Sequence, residues 1–261
     1  MPLSRERARA LYRARATREP VEPFTDADPA LGTAEGYEIQ RELVSMLLAD
    51  GEEIVGYKVG LTSVPAREQM GVDSPDHGPV LASAVLSDGA TVPLDRFVEP
   101  RIEAEIAFRI GSRLQGPGVT LEQARAAIAR AHAGLEIVDS RIAGWRIRSA
   151  DTIADLASTA AVAVSGHGVA VDALEPRLVE MVLTRNGEVV GTGTGAEALG
   201  DPVAVVAWLA NELGEHGAAL EPGHLVMTGS LHGAVPMADG DVFTAEFDGL
   251  GSITLKVVRS G

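Results

Sequence analysis

The sequence predicts an α+β protein, with a helical N-terminal region followed by a β-rich body that carries inserted helices. Three observations lead there. Apolar residues recur at helical spacing over residues 3–18 and 33–50. From about residue 80 the pattern changes to short β-runs split by turn residues. The strands are too irregularly spaced for a (β/α)8 barrel, and the regular alternation of a doubly wound sheet is missing. The change of character divides the chain into residues 1–79, a helical region packed on the body, and residues 80–261, the body itself.

Each element has its own signal. Leu3, Ala10, Leu11 and Ala14 mark the apolar side of the first helix, and Pro20, Pro23 and Pro29 punctuate the loop after it. Tyr37, Leu43, Met46 and Leu47 stripe the second helix, which Asp50-Gly51 closes. Residues 54–61 read as a strand and 65–71 as a short helix. In the body, β-runs are expected over 80–86, 90–94 and 99–110. Thr120 caps a helix expected to reach Ala131. Strands follow near 134–139, 159–165 and 178–185, and Asn186-Gly187 turns a hairpin into 188–190. Pro202 opens a helix ending near Gly214, and strands near 224–228, 241–247 and 252–258 complete the chain.

Composition narrows the function classes. The 261 residues include 22 basic and 37 acidic ones, a net charge of −15 that repels phosphate backbones and anionic membrane surfaces. Nucleic acid and membrane are therefore not expected partners. Without cysteine there is no disulfide, no thiolate metal site and no cysteine nucleophile. No apolar run approaches the ~20 residues of a membrane span, and the N-terminus lacks a secretory apolar core. A cytoplasmic protein is expected. Only Lys58 and Lys256 are lysines, so arginine serves wherever charge alone suffices.

Strict alternation over residues 100–108 puts Ile102, Ala104, Ile106 and Phe108 on one face of a strand and Arg101, Glu103 and Glu105 on the other. Two glutamates two apart on a strand point the same way, with Cα atoms ~6.5–7 Å apart. Like charges on one face repel, and a divalent cation would turn that repulsion into ligation. Glu136, in the otherwise apolar run 134–138, offers a third carboxylate. Three such groups make a hard-oxygen site suited to Mg²⁺ or Mn²⁺. The spacing leaves two readings open: a metal site, or solvated strands with Glu136 paired to Arg141 or Arg101. Lys58 lies in an apolar strand flanked by Gly56 and Gly60, and its compact, tunable charge suits an acid–base or anion-anchoring role. Residues 74–79 read as a rigid turn presenting Asp76 and His77. His77, His132, His167, His216, His224 and His232 show no metal-ligand spacing. Residues 191–196 match G-x-G-x-x-A, but no helix follows directly, so a nucleotide loop is rejected. Residues 151–159 and 227–231 offer hydroxyls and backbone N–H groups near turns.

Together these motifs resemble one family. G-Y-K-V-G-L-T-S from Gly56, P-D-H-G from Pro75, P-R-I-E-A-E-I-A-F from Pro100, L-E-I-V-D-S-R-I from Leu135, the A-D-x-A-S run from Ala154 and M-T-G-S-L from Met227 occur in matching order. The set is similar to the hydratase/decarboxylase branch of the fumarylacetoacetate hydrolase superfamily, from about Tyr37 to the C-terminus. The resemblance implies a mixed β-sandwich roll with flanking helices and one divalent cation, Mg²⁺ or Mn²⁺. It implies Glu103, Glu105 and Glu136 as its ligands, Lys58 and Asp76 as catalytic groups, and Ser158, Leu156, His77 and Ser230 as substrate contacts. Members usually carry an aromatic residue where His77 stands and often Asn where Leu156 stands, so the pocket should differ there.

The implied activity is hydration of 2-hydroxypenta-2,4-dienoate or a close homologue to a 4-hydroxy-2-oxo acid, a hydro-lyase step of aromatic meta-cleavage. Asp76 and the M-T-G-S ending favour hydration over decarboxylation of a 2-oxo diacid of the 4-oxalocrotonate type, whose enzymes tend to have an apolar residue there and end M-T-G-G. Hydrolytic C–C cleavage would want a His/Glu water-activating pair in the N-terminal region, which is not found there. A non-catalytic subunit supporting a partner enzyme is the remaining alternative. The resemblance also implies a homo-oligomer, with pentameric rings as one form, and association with a pathway decarboxylase or aldolase.

Overall fold

The computed structural model describes residues 2–259. Its helices are α1 (Leu3–Thr17), α2 (Phe24–Ala27), α3 (Thr33–Ala49), α4 (Val64–Met70), α5 (Leu121–Ala127), α6 (Ser149–Ala154) and α7 (Pro202–Glu215). The strands are β1 (Ile54–Gly60), β2 (Asp76–Leu81), β3 (Val85–Leu86), β4 (Thr91–Pro93), β5 (Arg101–Ile110), β6 (Ile128–Val138) and β7 (Thr159–Val164). They continue with β8 (Glu180–Arg185), β9 (Glu188–Thr194), β10 (Leu225–Met227), β11 (Val235–Pro236), β12 (Val242–Phe247) and β13 (Gly251–Val258).

Alternation along β5 organises the body. Ile102, Ala104, Ile106 and Phe108 join Leu183, Phe243, Ile253 and Leu255 in one buried core between two sheets. The larger sheet runs β2-β1-β10-β5-β6-β7-β3, with β11 beside β5, and the smaller runs β4-β13-β12-β8-β9. Helices α5 and α7 close one side of that core through Ala124, Val206 and Leu209. The other face of the large sheet carries the smaller cluster of Val80, Ala107, Val162, Leu225 and Met227. Leu11 of α1 and Ile39 and Leu43 of α3 pack with Leu81, Ala154 and Leu156 in a third cluster. Burying a leucine such as Leu11 is worth about 2 kcal/mol, which holds the N-terminal helices to the body.

Three expectations change. The boundary at residues 79/80 falls inside β2, and β1 and β2 hydrogen-bond into the large sheet. Residues 74–79 are not a free turn, because Asp76 begins β2, every residue of which is buried. Pro79 is tolerated there because β2 is an edge strand. The helix expected to reach Ala131 stops at Ala127, and β6 begins at Ile128 to pair with the full length of β5. The Gly191–Thr194 run is strand in β9, paired with β8, consistent with no nucleotide loop.

Candidate active site

The β5–β6 register sets Glu103 directly opposite Glu136, while Glu105 faces Gly134. Directly opposed side chains on one sheet face have Cβ atoms about 4.5–5.5 Å apart. The three carboxylates accordingly converge, each offering an oxygen within 4.8 Å of the others. Glu105 and Glu136 are fully buried. Glu105 Oε2 accepts from the Gly229 N–H at 2.8 Å, which leaves Oε1 without a partner, and neither oxygen of Glu136 is hydrogen-bonded. Burial and then the neighbouring Glu136 push Glu103 up to about 7, and the same two causes raise Glu105 far above the usual carboxylate range. Buried carboxylates facing one another with free lone pairs are costly unless a cation joins them. The donor set is all hard oxygen, so these residues fit a divalent cation of the Mg²⁺ or Mn²⁺ kind. The alternative pairing of Glu136 with Arg141 or Arg101 is not formed.

The nearest cation is Lys58. Strand β1 lies between β2 and β10, and Lys58 is paired with Gly78 and with Met227. Its Nζ donates to Ala157 O at 2.9 Å and sits 3.7 Å from Glu136 Oε2. Burial pulls its pKa down, but Glu136, Asp76, Glu103 and Glu105 together push it further up, so Lys58 rests as an ammonium. Asp76 enters beside it, because Gly60 pairs with Asp76 across β1 and β2. A Cβ on Gly60 would crowd Asp76 Oδ1 and, at 3.1 Å, Lys58 Nζ, so glycine leaves room for both side chains on this side of the strands. Burial raises the Asp76 pKa, with Lys58 opposing it, and Oδ1 has no hydrogen-bond partner.

A left-handed turn supplies the next side of the site. Leu156, Ala157 and Ser158 have φ of 55°, 51° and 59°, a conformation costing about 1–3 kcal/mol per non-glycine residue. Gly78 makes room for it, since a Cβ there would meet Leu156 O at 2.2 Å. Lys58 holds its Ala157 carbonyl, the Asp139 N–H donates to Ser158 O at 2.9 Å, and Thr152 Oγ1 lies 3.0 Å from Ser158 Oγ. Behind it, Arg141 Nε donates to Asp155 Oδ1 at 2.7 Å, and Nη2 donates to the carbonyls of Asp155 and Thr159.

Lys58, Asp76, Glu103, Ser158 and Ser230 border one cavity of about 490 Å³. Two expected contacts do not. His77 is the next residue on β2 and points away from Asp76, its ring stacked on Tyr37 at 4.8 Å and edge-on to Trp208. The Leu156 side chain is fully buried in the cluster with α1 and α3. Two further residues join the cavity. Arg101 lines it, with its guanidinium 4.4 Å from the Trp145 ring centre. His232 Nε2 accepts from the Ala104 N–H at 2.9 Å, and its Nδ1 lies 2.5 Å from Gly233 O, which fixes a neutral ring with the proton on Nδ1. Strand alternation already placed Arg101 with the glutamates, whereas nothing local to residue 232 signals that contact.

Residues 53–258 match the fumarylacetoacetate hydrolase C-terminal family. The chain belongs to that family. It is 37% identical over 248 residues to a 2-keto-4-pentenoate hydratase of Paraburkholderia xenovorans, covering 95% of this chain and 92% of the relative. A 2-hydroxyhexa-2,4-dienoate hydratase of Comamonas testosteroni is 36% identical, covering 94% of each chain. Among solved structures, 4-oxalocrotonate decarboxylase of Pseudomonas putida G7, complexed with magnesium and adipate, superposes with a TM-score of 0.95 at 34% identity, covering 98% of this chain and 97% of the other. The expected fold, a roll of curled sheets with flanking helices and a helical N-terminal region, is that of the family. Among the described residues no helix is long and apolar enough to cross a membrane.

Proposed function

We propose that this protein is a cation-dependent hydro-lyase that converts 2-hydroxypenta-2,4-dienoate, or a close homologue, to 4-hydroxy-2-oxopentanoate. The observation that carries the reading is that Asp76 and Lys58 line one cavity together with Glu103, one of three converging carboxylates. The hydratase names of the two relatives support it. The overall change ketonises the dienol by adding a proton at C5, then adds water across C3 and C4. Both steps need an acid–base group against an anionic substrate in an acidic protein.

Glu103, Glu105 and Glu136 would hold the cation, with Mg²⁺ or Mn²⁺ the expected ion, and when bound it supplies Lewis-acid polarisation of the 2-oxo group. The magnesium of the decarboxylase structure supports that assignment. The Lys58 ammonium attracts the substrate carboxylate and can release a proton at Nζ. Asp76, buried and carrying a free Oδ1, takes and returns a proton or orients the water. Ser158 and Ser230 offer hydroxyls at the wall, and Leu156 and His77 act only by shaping what lies behind it. The family resemblance supports a homo-oligomer, with pentameric rings as one form, and contact with a pathway decarboxylase or aldolase, and the sequence supports a cytoplasmic location.

The decarboxylase structure favours a second reading, loss of CO₂ from a 2-oxo diacid. One experiment separates the two. Purified protein with Mg²⁺ or Mn²⁺ is given 2-hydroxypenta-2,4-dienoate or 4-oxalocrotonate, and dienol absorbance and released CO₂ are followed. Hydration predicts loss of absorbance with formation of the 4-hydroxy-2-oxo acid and no CO₂. Release of CO₂ from the diacid, with the dienoate untouched, would replace the first reading by the second.

A further inference from the structure

A second cavity, of about 220 Å³, lies between the end of α1, residues 83–84, residues 96–98 and residues 139–141. Its charged lining is four arginines, Arg15, Arg18, Arg96 and Arg141, against the single carboxylate of Asp139. In a chain of net charge −15 this is a local reversal of sign. Two of the five groups are already satisfied. Arg141 is bound to Asp155, and Asp139 accepts from the Val98 and Glu99 N–H groups at 3.0 and 2.7 Å.

The other three have no carboxylate partner. Among the described residues no ion pair within 4 Å involves Arg15, Arg18 or Arg96. Arg15 Nη1 is shut off from solvent and has no hydrogen-bond acceptor. Leaving such a donor unpaired is costly, and more so for a charged group. Burial, and then repulsion from Arg141, pull the Arg15 pKa down to about 10, so the surroundings as they stand disfavour its charge. One bound oxyanion facing the Arg15 guanidinium would offset the repulsion among the arginines. Planar guanidinium forks match carboxylate and phosphate oxygens better than ammonium groups do. The space exceeds the ~30 Å³ share of one water several times over, leaving room for a multi-atom anion.

We propose that this cleft is an anion-binding site, separate from the catalytic cavity, that takes a small oxyanion on Arg15, Arg18 and Arg96. Carboxylate and phosphate share the required chemistry. The site adjoins Asp139, which holds Ser158 O, and Arg141, which holds the carbonyls on either side of the Leu156–Ser158 turn. Occupancy therefore stabilises the region that braces the catalytic cavity, whatever reaction that cavity performs.

The test is calorimetric titration of the Mg²⁺-loaded protein with inorganic phosphate and, separately, with succinate, using chloride at matched ionic strength as control. Saturable binding of at least one oxyanion is expected, with chloride inert, and the one that binds identifies phosphate or carboxylate as the source. The affinity should fall at least tenfold in Arg18→Ala/Arg96→Ala, whose side chains are exposed and whose turnover should be unchanged. It should persist in Lys58→Met, which lacks only the ammonium of the catalytic cavity. Binding lost in Lys58→Met but kept in the double variant would place the anion in the catalytic cavity and overturn the proposal. So would the absence of saturable binding, or chloride matching both oxyanions. A wild type that binds neither, with a double variant of altered sedimentation mass, would instead assign the arginines to contacts between copies of the chain.

Discussion

Two clusters of buried charge lie on either side of the Leu156–Ser158 turn, and they are built on opposite plans. In the Arg141 cluster nearly every polar atom has a partner: Arg141 N and Nε bind the two oxygens of Asp155, Nη2 binds two carbonyls, and Asp139 collects two backbone N–H groups. In the Glu136 cluster the opposite holds, with both oxygens of Glu136, Oε1 of Glu105 and Oδ1 of Asp76 left open. Burial is similar, so satisfaction is what differs. A saturated buried pair fixes a conformation, here a turn that local backbone preference opposes. An unsaturated one stores binding capacity, because its lone pairs wait for an external cation or a substrate proton.

That contrast is broken most easily at Glu136. Glu136→Gln keeps the volume and removes one charge, and should cost roughly 10³-fold in turnover, the scale of losing one main electrostatic contact to a transition state. Cation affinity should fall with it, while the melting temperature of the cation-free protein stays level or rises because one repulsive partner is gone. Near-normal turnover at low cation concentration would remove Glu136 from the ligand set.

Asp155→Asn should do the reverse. It leaves Arg141 buried without its counter-charge, a loss of about 3 kcal/mol in stability measured by urea unfolding. Cation binding by the three glutamates should survive in the folded fraction, while kcat falls because the turn holding Ser158 and the Ala157 carbonyl loosens. Unchanged stability would show that the Arg141 cluster is not the brace described.

Lys58 belongs to the unsaturated side, and its replacement sharpens the comparison. If Lys58 releases a proton, Lys58→Arg and Lys58→Met should each lose about 10²-fold in kcat/KM, because arginine is too bulky and too basic to replace it. Both should fold and still bind the cation. Should arginine restore most of what methionine loses, Lys58 is an electrostatic anchor and proton transfer rests with Asp76. Asp76→Asn then becomes the decisive variant, with kcat falling and KM little changed.

The smallest effect is expected at His77, which lies behind the cavity. His77→Phe keeps the stack on Tyr37 and should change kcat/KM less than about threefold, within the ±0.5 kcal/mol of a mild substitution. It should, however, alter acid stability. Burial, and next the charge of His216, hold His77 down to about 4 in the folded protein, against about 6.5 when unfolded. The unfolded chain therefore takes up a proton first, and the wild type loses up to about 1.4 kcal/mol per pH unit between pH 6.5 and 4. The phenylalanine variant lacks that loss, so its stability relative to wild type should rise as pH falls through this window. A constant difference from pH 7 to 4 would show that His77 is not held neutral.

Much of this was legible in the sequence, and for particular reasons. The alternation of Ile102 to Phe108 with Arg101 to Glu105 states both the core face and the site face of β5, because a strand has period two. Lys58 stands out as one of only two lysines in an arginine-using chain and the one set in an apolar, glycine-flanked strand. Residues 74–79 misled because Pro75, Gly78 and Pro79 are turn formers, and only the edge position of β2 makes a strand of them. Residues 128–131 misled for a different reason: alanine and arginine favour helix locally, and pairing with β5 overrides them. The contacts of His232 and the left-handed backbone of Leu156 to Ser158 depend on partners distant in the chain, so no local pattern announces them.

The large sheet also has an order of assembly written into it. Strands β5 and β6, which carry all three glutamates, are near neighbours in sequence, whereas β1 reaches its place only by pairing Gly56 with Leu225. Closing that long loop is entropically slow compared with closing the hairpin-like pair. A ribosome must deliver residues 225–227 before β1 can take its place between β2 and β10 and seat Lys58 beside the carboxylates. The last strand to dock in the middle of the sheet thus times the moment at which acquiring a cation turns into competence for chemistry.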